Sequence, residues 1–139
     1  MALIYTGIQR TVAVLDERST ALEAAQLMTE RFIGSVVVTG AARVTGIFTE
    51  RDLVKRVIAA GRDPSGVRLR DVMRQDPVRV GPRESVGRCL DLMKEHRCRH
   101  LLVFDGEECV GIVSLRDLVA LMLEEKEQLI QQLTRYITG

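Results

Sequence analysis

Apolar and polar residues alternate along this chain with a period that changes several times and then starts over. Val12 and Val14 alternate with their neighbours, which predicts a short strand. A polar loop, Asp16-Glu17-Arg18, leads to Ser19 or Thr20, either of them a suitable helix cap, and then to Ala24, Leu27 and Met28 on one face of a helix ending at Arg31. Ser35 to Val38 is a nearly continuous apolar run, suited to a strand covered on both faces. Gly40-Ala41-Ala42 turns the chain into a second strand, Val44 to Phe48. Thr49 opens a helix carrying Leu53, Val54, Val57 and Ile58. Gly61 to Val67 reads as a linker, and Leu69 to Met73 as a short amphipathic turn.

The pattern then repeats. At a shift of 65 residues, Thr20–Val54 lies over Ser85–Val119 without a gap, and 10 of the 35 pairs are identical. Gly46-Ile47 falls on Gly111-Ile112, and Arg51-Asp52-Leu53-Val54 on Arg116-Asp117-Leu118-Val119. One extra residue ahead of Thr20 brings Val12 and Val14 over Val78 and Val80. Similarity that keeps its order through every element indicates a tandem duplication. The expected fold is α+β, a β-α-β-β-α order met twice, with copies at 7–60 and 74–123, a linker at 61–73 and a helical extension at 124–139. A copy of about 60 residues buries little surface alone. The two are therefore expected to pack with pseudo-twofold symmetry and to leave two related clefts, where small ligands tend to bind.

Composition narrows the function. The 20 Lys and Arg nearly balance 19 Asp and Glu, which argues against a nucleic-acid partner. No apolar run approaches the ~20 residues of a membrane span, so no membrane partner is expected. The N-terminus lacks the pattern of a secretion signal. Three cysteines, Cys89, Cys98 and Cys109, show neither disulfide nor zinc spacing, which fits a reducing, cytoplasmic setting. No nucleophile adjoins a base and no metal-ligand cluster is visible, so an enzyme is not expected, and neither a catalytic residue nor a metal is assigned.

The chemistry concentrates at the end of the last strand of each copy: Gly46-Ile47-Phe48-Thr49-Glu50-Arg51-Asp52 and Gly111-Ile112-Val113-Ser114-Leu115-Arg116-Asp117. A hydroxyl at the strand end and a carboxylate three residues on point into the same space as the free amides of the helix start. Carboxylates accept hydrogen bonds from vicinal ribose hydroxyls. Arg51 and Arg116 offer forks for phosphate, and Ile47 or Ile112 an apolar face for a flat base. The plainer reading is a helix cap. Its recurrence in both copies, each time with Arg before the Asp, favours the binding reading.

These residues carry a family resemblance. The duplicated unit resembles the CBS domain, and the pair resembles a Bateman module, with the pattern Gly-hydrophobic-x-Thr/Ser-x-x-Asp matched in each copy. The resemblance implies an adenosine ligand in the clefts between repeats (AMP, ADP, ATP or NAD(H), with S-adenosylmethionine ranked behind them), no required cofactor, and a homodimer acting on a separate, unidentified regulated protein. It also implies that Thr49, Arg51 and Asp52, with Val12 and Ile47, share a cleft with Arg99 and His100. Ser114, Arg116 and Asp117, with Val78 and Ile112, would face Gly34 and Ser35 instead. The alternatives are a dimerisation scaffold without a physiological ligand and an enzyme acting on a bound nucleotide. The final helix carries a stripe of Leu118, Leu121, Met122, Leu129, Ile130, Leu133 and Ile137, whose outer part either meets a partner subunit or packs within the chain.

Overall fold

In the computed structural model, residues 2–138 are described, and Met1 and Gly139 lie outside them. Two compact units form: one is Thr11–Pro77, and the other joins the N-terminal segment through Arg10 to the chain from Val78 onward.

In the first unit, β1 (Val14–Asp16) runs parallel to β2 (Ser35–Gly40), which pairs antiparallel with β3 (Arg43–Thr49), and β3 with β4 (Arg74–Gln75). Helix α1 (Ala21–Arg31) begins at Thr20, whose hydroxyl accepts the Glu23 N–H at 3.2 Å. It ends at Phe32 in the left-handed region, φ 54°. Ala21, Ala24 and Met28 of α1 bury against Val36, Val38 and Phe48 of the sheet. The alternate strand residues Val37 and Ile47 are buried as well, so the apolar run is covered on both faces.

Two stretches of this unit differ from their expected form. Residues 61–73, read as linker and turn, belong to this unit and are tied to α1 although mostly exposed: the Leu22 N–H donates to the Pro64 carbonyl and the Ala21 N–H to that of Val67, both at 3.0 Å. Leu69 and Val72 of the short helix α3 (Leu69–Val72) sit in its core, because their apolar side chains complete the face that α1 leaves open. The helix after Thr49 is α-helical only over α2 (Glu50–Asp52), and continues as a π-helix over Leu53–Ile58. There, N–H groups reach carbonyls five residues back, as from Ala59 to Val54 at 2.8 Å.

The second unit repeats the plan. Strand β5 (Arg79–Val80) is parallel to β6 (His100–Asp105), and β6 is antiparallel to β7 (Glu108–Ser114). Helix α4 (Val86–His96) starts at the Ser85 hydroxyl and ends at Arg97 with φ 53°, the counterpart of Phe32. The strand irregularity between Val103 and Phe104 matches that between Val38 and Thr39. Helix α5 (Leu115–Thr138) follows β7 directly. The N-terminal segment completes this unit: Ile4 is wholly buried in its core, and Gln9 exchanges backbone hydrogen bonds with Ile112 at 2.9 and 3.0 Å. Gln9 on Ile112 thus occupies the place that Arg74 takes on Ile47.

The glycine of each motif is explained by this edge pairing. A Cβ on Gly46 would lie 2.5 Å from Met73 Sδ and 2.7 Å from the Arg74 carbonyl oxygen, and one on Gly111 would lie 2.5 Å from the Gln9 carbonyl oxygen. Backbone in a paired strand cannot yield cheaply. Gly46→Ala and Gly111→Ala are each expected to lower unfolding free energy by about 1–3 kcal/mol in urea denaturation, while Gly87→Ala, with open space around it, improves or preserves stability.

Candidate functional site

Each unit turns from its last strand into a helix through the same closed ring of hydrogen bonds. In the first unit, the Thr49 N–H and hydroxyl donate to Asp52 Oδ2 at 3.0 and 3.1 Å, and the Asp52 N–H donates back to Thr49 Oγ1 at 3.2 Å. In the second, Ser114 N–H and Oγ donate to Asp117 Oδ2 at 2.8 and 2.9 Å, and the Asp117 N–H returns to Ser114 Oγ at 3.2 Å. Both are capping boxes with Asp in place of Glu. The cap reading of Thr-x-x-Asp is therefore realised in both copies. It fixes hydroxyl, carboxylate and helix amides in one rigid group, with the carboxylates half-buried.

Further donors reach both carboxylates from residues that the sequence pattern did not single out. Gln9 Nε2 donates to Asp117 Oδ2 at 2.9 Å, so that oxygen accepts three hydrogen bonds. Arg56 Nε lies 3.7 Å from Asp52 Oδ1, and its guanidinium also donates to the carbonyls of Val72 and Met73 at 3.3 and 3.0 Å. Arg56 was legible as the partner four residues after Asp52. Gln9 is 108 residues from Asp117, and no local spacing announces it.

The remaining candidates distribute between the units. In the first, Ser35 pairs across the strands with Thr49, and the Gly34 carbonyl accepts the Glu50 N–H at 3.1 Å, so the Gly34-Ser35 backbone borders the first turn. In the second, His100 pairs with Ser114 and the Arg99 carbonyl accepts the Leu115 N–H at 2.8 Å. Each strand entry thus adjoins the turn of its own copy. Arg51, Arg99 and Arg116 are exposed, Val12 and Val78 half-buried, and Ile47 and Ile112 buried. Burial pushes the Cys89 thiol up to about 11 and raises that of Cys109.

The family model for the CBS domain matches twice, over residues 7–59 and 69–124. The chain belongs to the CBS-domain family. It is 31% identical over 125 residues to the mitochondrial CBS domain-containing protein CBSX3 of Arabidopsis thaliana, covering 86% of this chain and 61% of that one. The chain therefore spans less than two thirds of that relative. Among solved structures, a CBS-domain protein of Burkholderia ambifaria assigned to signal transduction superposes with a TM-score of 0.81 at 31% identity, over 85% of this chain and 91% of that one. A hexameric CBS-CP12 protein from bloom-forming cyanobacteria superposes with a TM-score of 0.80 at 25% identity, over 99% and 86%. These likenesses place the chain with CBS-domain proteins of regulatory and signal-transduction type. No helix among the described residues is long and apolar enough to cross a membrane.

The cap makes a stability prediction that is independent of any ligand. Thr49→Ala and Ser114→Ala are each expected to cost about 1 kcal/mol, whereas Thr49→Ser is near neutral. Unfolding free energies of the three variants check this, and a silent Ser114→Ala would contradict it.

Proposed function

We propose that this CBS-domain protein is a regulatory module that binds an adenosine ligand at its two strand-to-helix turns and acts in trans on a separate protein. One observation carries the reading: both copies hold a hydroxyl and an Asp in the same hydrogen-bonded ring at a helix start, with an exposed Arg just before the Asp. The ring holds each carboxylate through Oδ2, and in the first unit Arg56 Nε lies 3.7 Å from the other oxygen, Asp52 Oδ1. A ribose supplies donors as a pair of vicinal hydroxyls. The helix-start amides and Arg51 or Arg116 suit the phosphate that follows the sugar.

AMP, ADP, ATP and NAD(H) share this sugar-phosphate chemistry, and S-adenosylmethionine lacks the phosphate. The two turns differ in their cross-strand neighbours: His100 pairs with Ser114, whereas Ser35 holds that place beside Thr49. Both carboxylates serve as acceptors within a cap, which suits binding and not proton transfer to a substrate. Occupancy alters output only if the ligand binds two arrangements of the protein unequally. Self-association is part of the proposal, supported by the hexameric state of the cyanobacterial neighbour.

A thermal-shift panel of AMP, ADP, ATP, NADH and S-adenosylmethionine tests the reading. A ligand at 100 times its dissociation constant should add about 2.7 kcal/mol to stability. Asp52→Ala or Asp117→Ala should abolish the response of the turn it disrupts. A melting temperature unmoved by every compound would favour a ligand-free dimerisation scaffold.

A further inference from the structure

Helix α5 carries an apolar face with no cover. Only Leu118 of its 24 residues is buried, and from Met122 to Thr138 every residue is exposed. Fifteen large hydrophobic residues are exposed among those described, and eight of them lie on this one helix: Val119, Met122, Leu123, Leu129, Ile130, Leu133, Tyr136 and Ile137. They are not scattered. Leu123, Ile130 and Ile137 recur every seven residues, as do Met122, Leu129 and Tyr136, and Val119 and Leu133 complete a third column interrupted by Lys126. Columns of this period form one stripe along a helix, the pattern of a surface that meets another helix. A solvated helix of this length gains little from propensity alone, because most helical stability in proteins comes from packing an apolar face.

The charges beside the stripe select its occupant. Glu124, Glu125 and Glu127 lie toward the start of the exposed stretch, and Arg135 toward its end. A second copy running parallel would bring three carboxylates against three. A copy running antiparallel brings each Arg135 to the partner's acidic run, at both ends of the contact, and opposes the helix dipoles favourably. The midpoint between that run and Arg135 falls at Ile130, and Leu123 and Ile137 stand seven residues to either side of it. In that register Leu123 faces the partner copy's Ile137 and Ile130 faces its own counterpart, a contact spanning about 21 Å of helix at 1.5 Å per residue.

We infer that two copies of this chain associate through an antiparallel pairing of α5, with the twofold axis passing near Ile130. This rests on the self-association proposed above and adds the surface, the orientation and the register.

Disulfide trapping in the full chain tests it, with Cys98 and Cys109 changed to Ser and buried Cys89 retained. Ile130→Cys is expected to form a covalent dimer under mild oxidation. Leu123→Cys and Ile137→Cys should each remain uncrosslinked alone and crosslink to one another when the two variants are mixed. Efficient self-crosslinking of both Leu123→Cys and Ile137→Cys would mean a parallel pair and overturn the orientation. Light scattering on the unmodified chain separates the remaining failures. A dimer without any trapped species would overturn this surface while leaving self-association intact, and a monomer at the concentration used would overturn both.

Discussion

The rest of the structure depends on a four-residue ring in which a strand's last hydroxyl and a helix's first-turn carboxylate hold one another. Thr49 with Asp52 and Ser114 with Asp117 close this ring with the same donors in the same order. It satisfies helix amides that would otherwise need water, and it fixes the angle at which the chain leaves the sheet. It also immobilises the group proposed to meet a ribose. Capping and binding are therefore not rival readings of Thr-x-x-Asp here. The cap is the means by which the carboxylate is preorganised, so little ordering cost remains for the ligand to meet.

The ring is tied to the segment that runs ahead of the following repeat in one unit and ahead of the first repeat in the other. Arg56, beside Asp52, donates to the Val72 and Met73 carbonyls just before β4, and Gln9 both pairs with Ile112 and donates to Asp117. Those segments lie against Gly46 and Gly111 so closely that no side chain fits. In each unit, carboxylate, glycine and edge segment thus form one contiguous group. In the proposed regulatory role, a ligand that recruits either carboxylate acts first on these edge segments.

Much of this was legible in the sequence, for identifiable reasons. A 65-residue period with ordered identities disclosed the duplication, and period-2 and period-3.6 apolar patterns placed the strands and helices. The capping rings could be read from Thr49, Asp52, Ser114 and Asp117, because cap chemistry is local. What stayed hidden was non-local. The inclusion of Leu69 and Val72 in the first unit, and of Ile4 in the second, depends on which core a short apolar turn can complete. Gln9's contact with Asp117 joins residues 108 positions apart. The π-helix over Leu53–Ile58 has an apolar pattern that equally suits an α-helix.

In the proposed function an adenosine compound docks on the two rings. The most direct measurement is a two-dimensional amide NMR titration of the uniformly labelled chain with AMP and ATP. The largest shifts are expected on the amides of residues 49–52 or 114–117, saturating with added nucleotide and extending to Gln9 or to residues 73–75. Saturating shifts confined to other surfaces, or spectra unchanged at millimolar nucleotide, would contradict it.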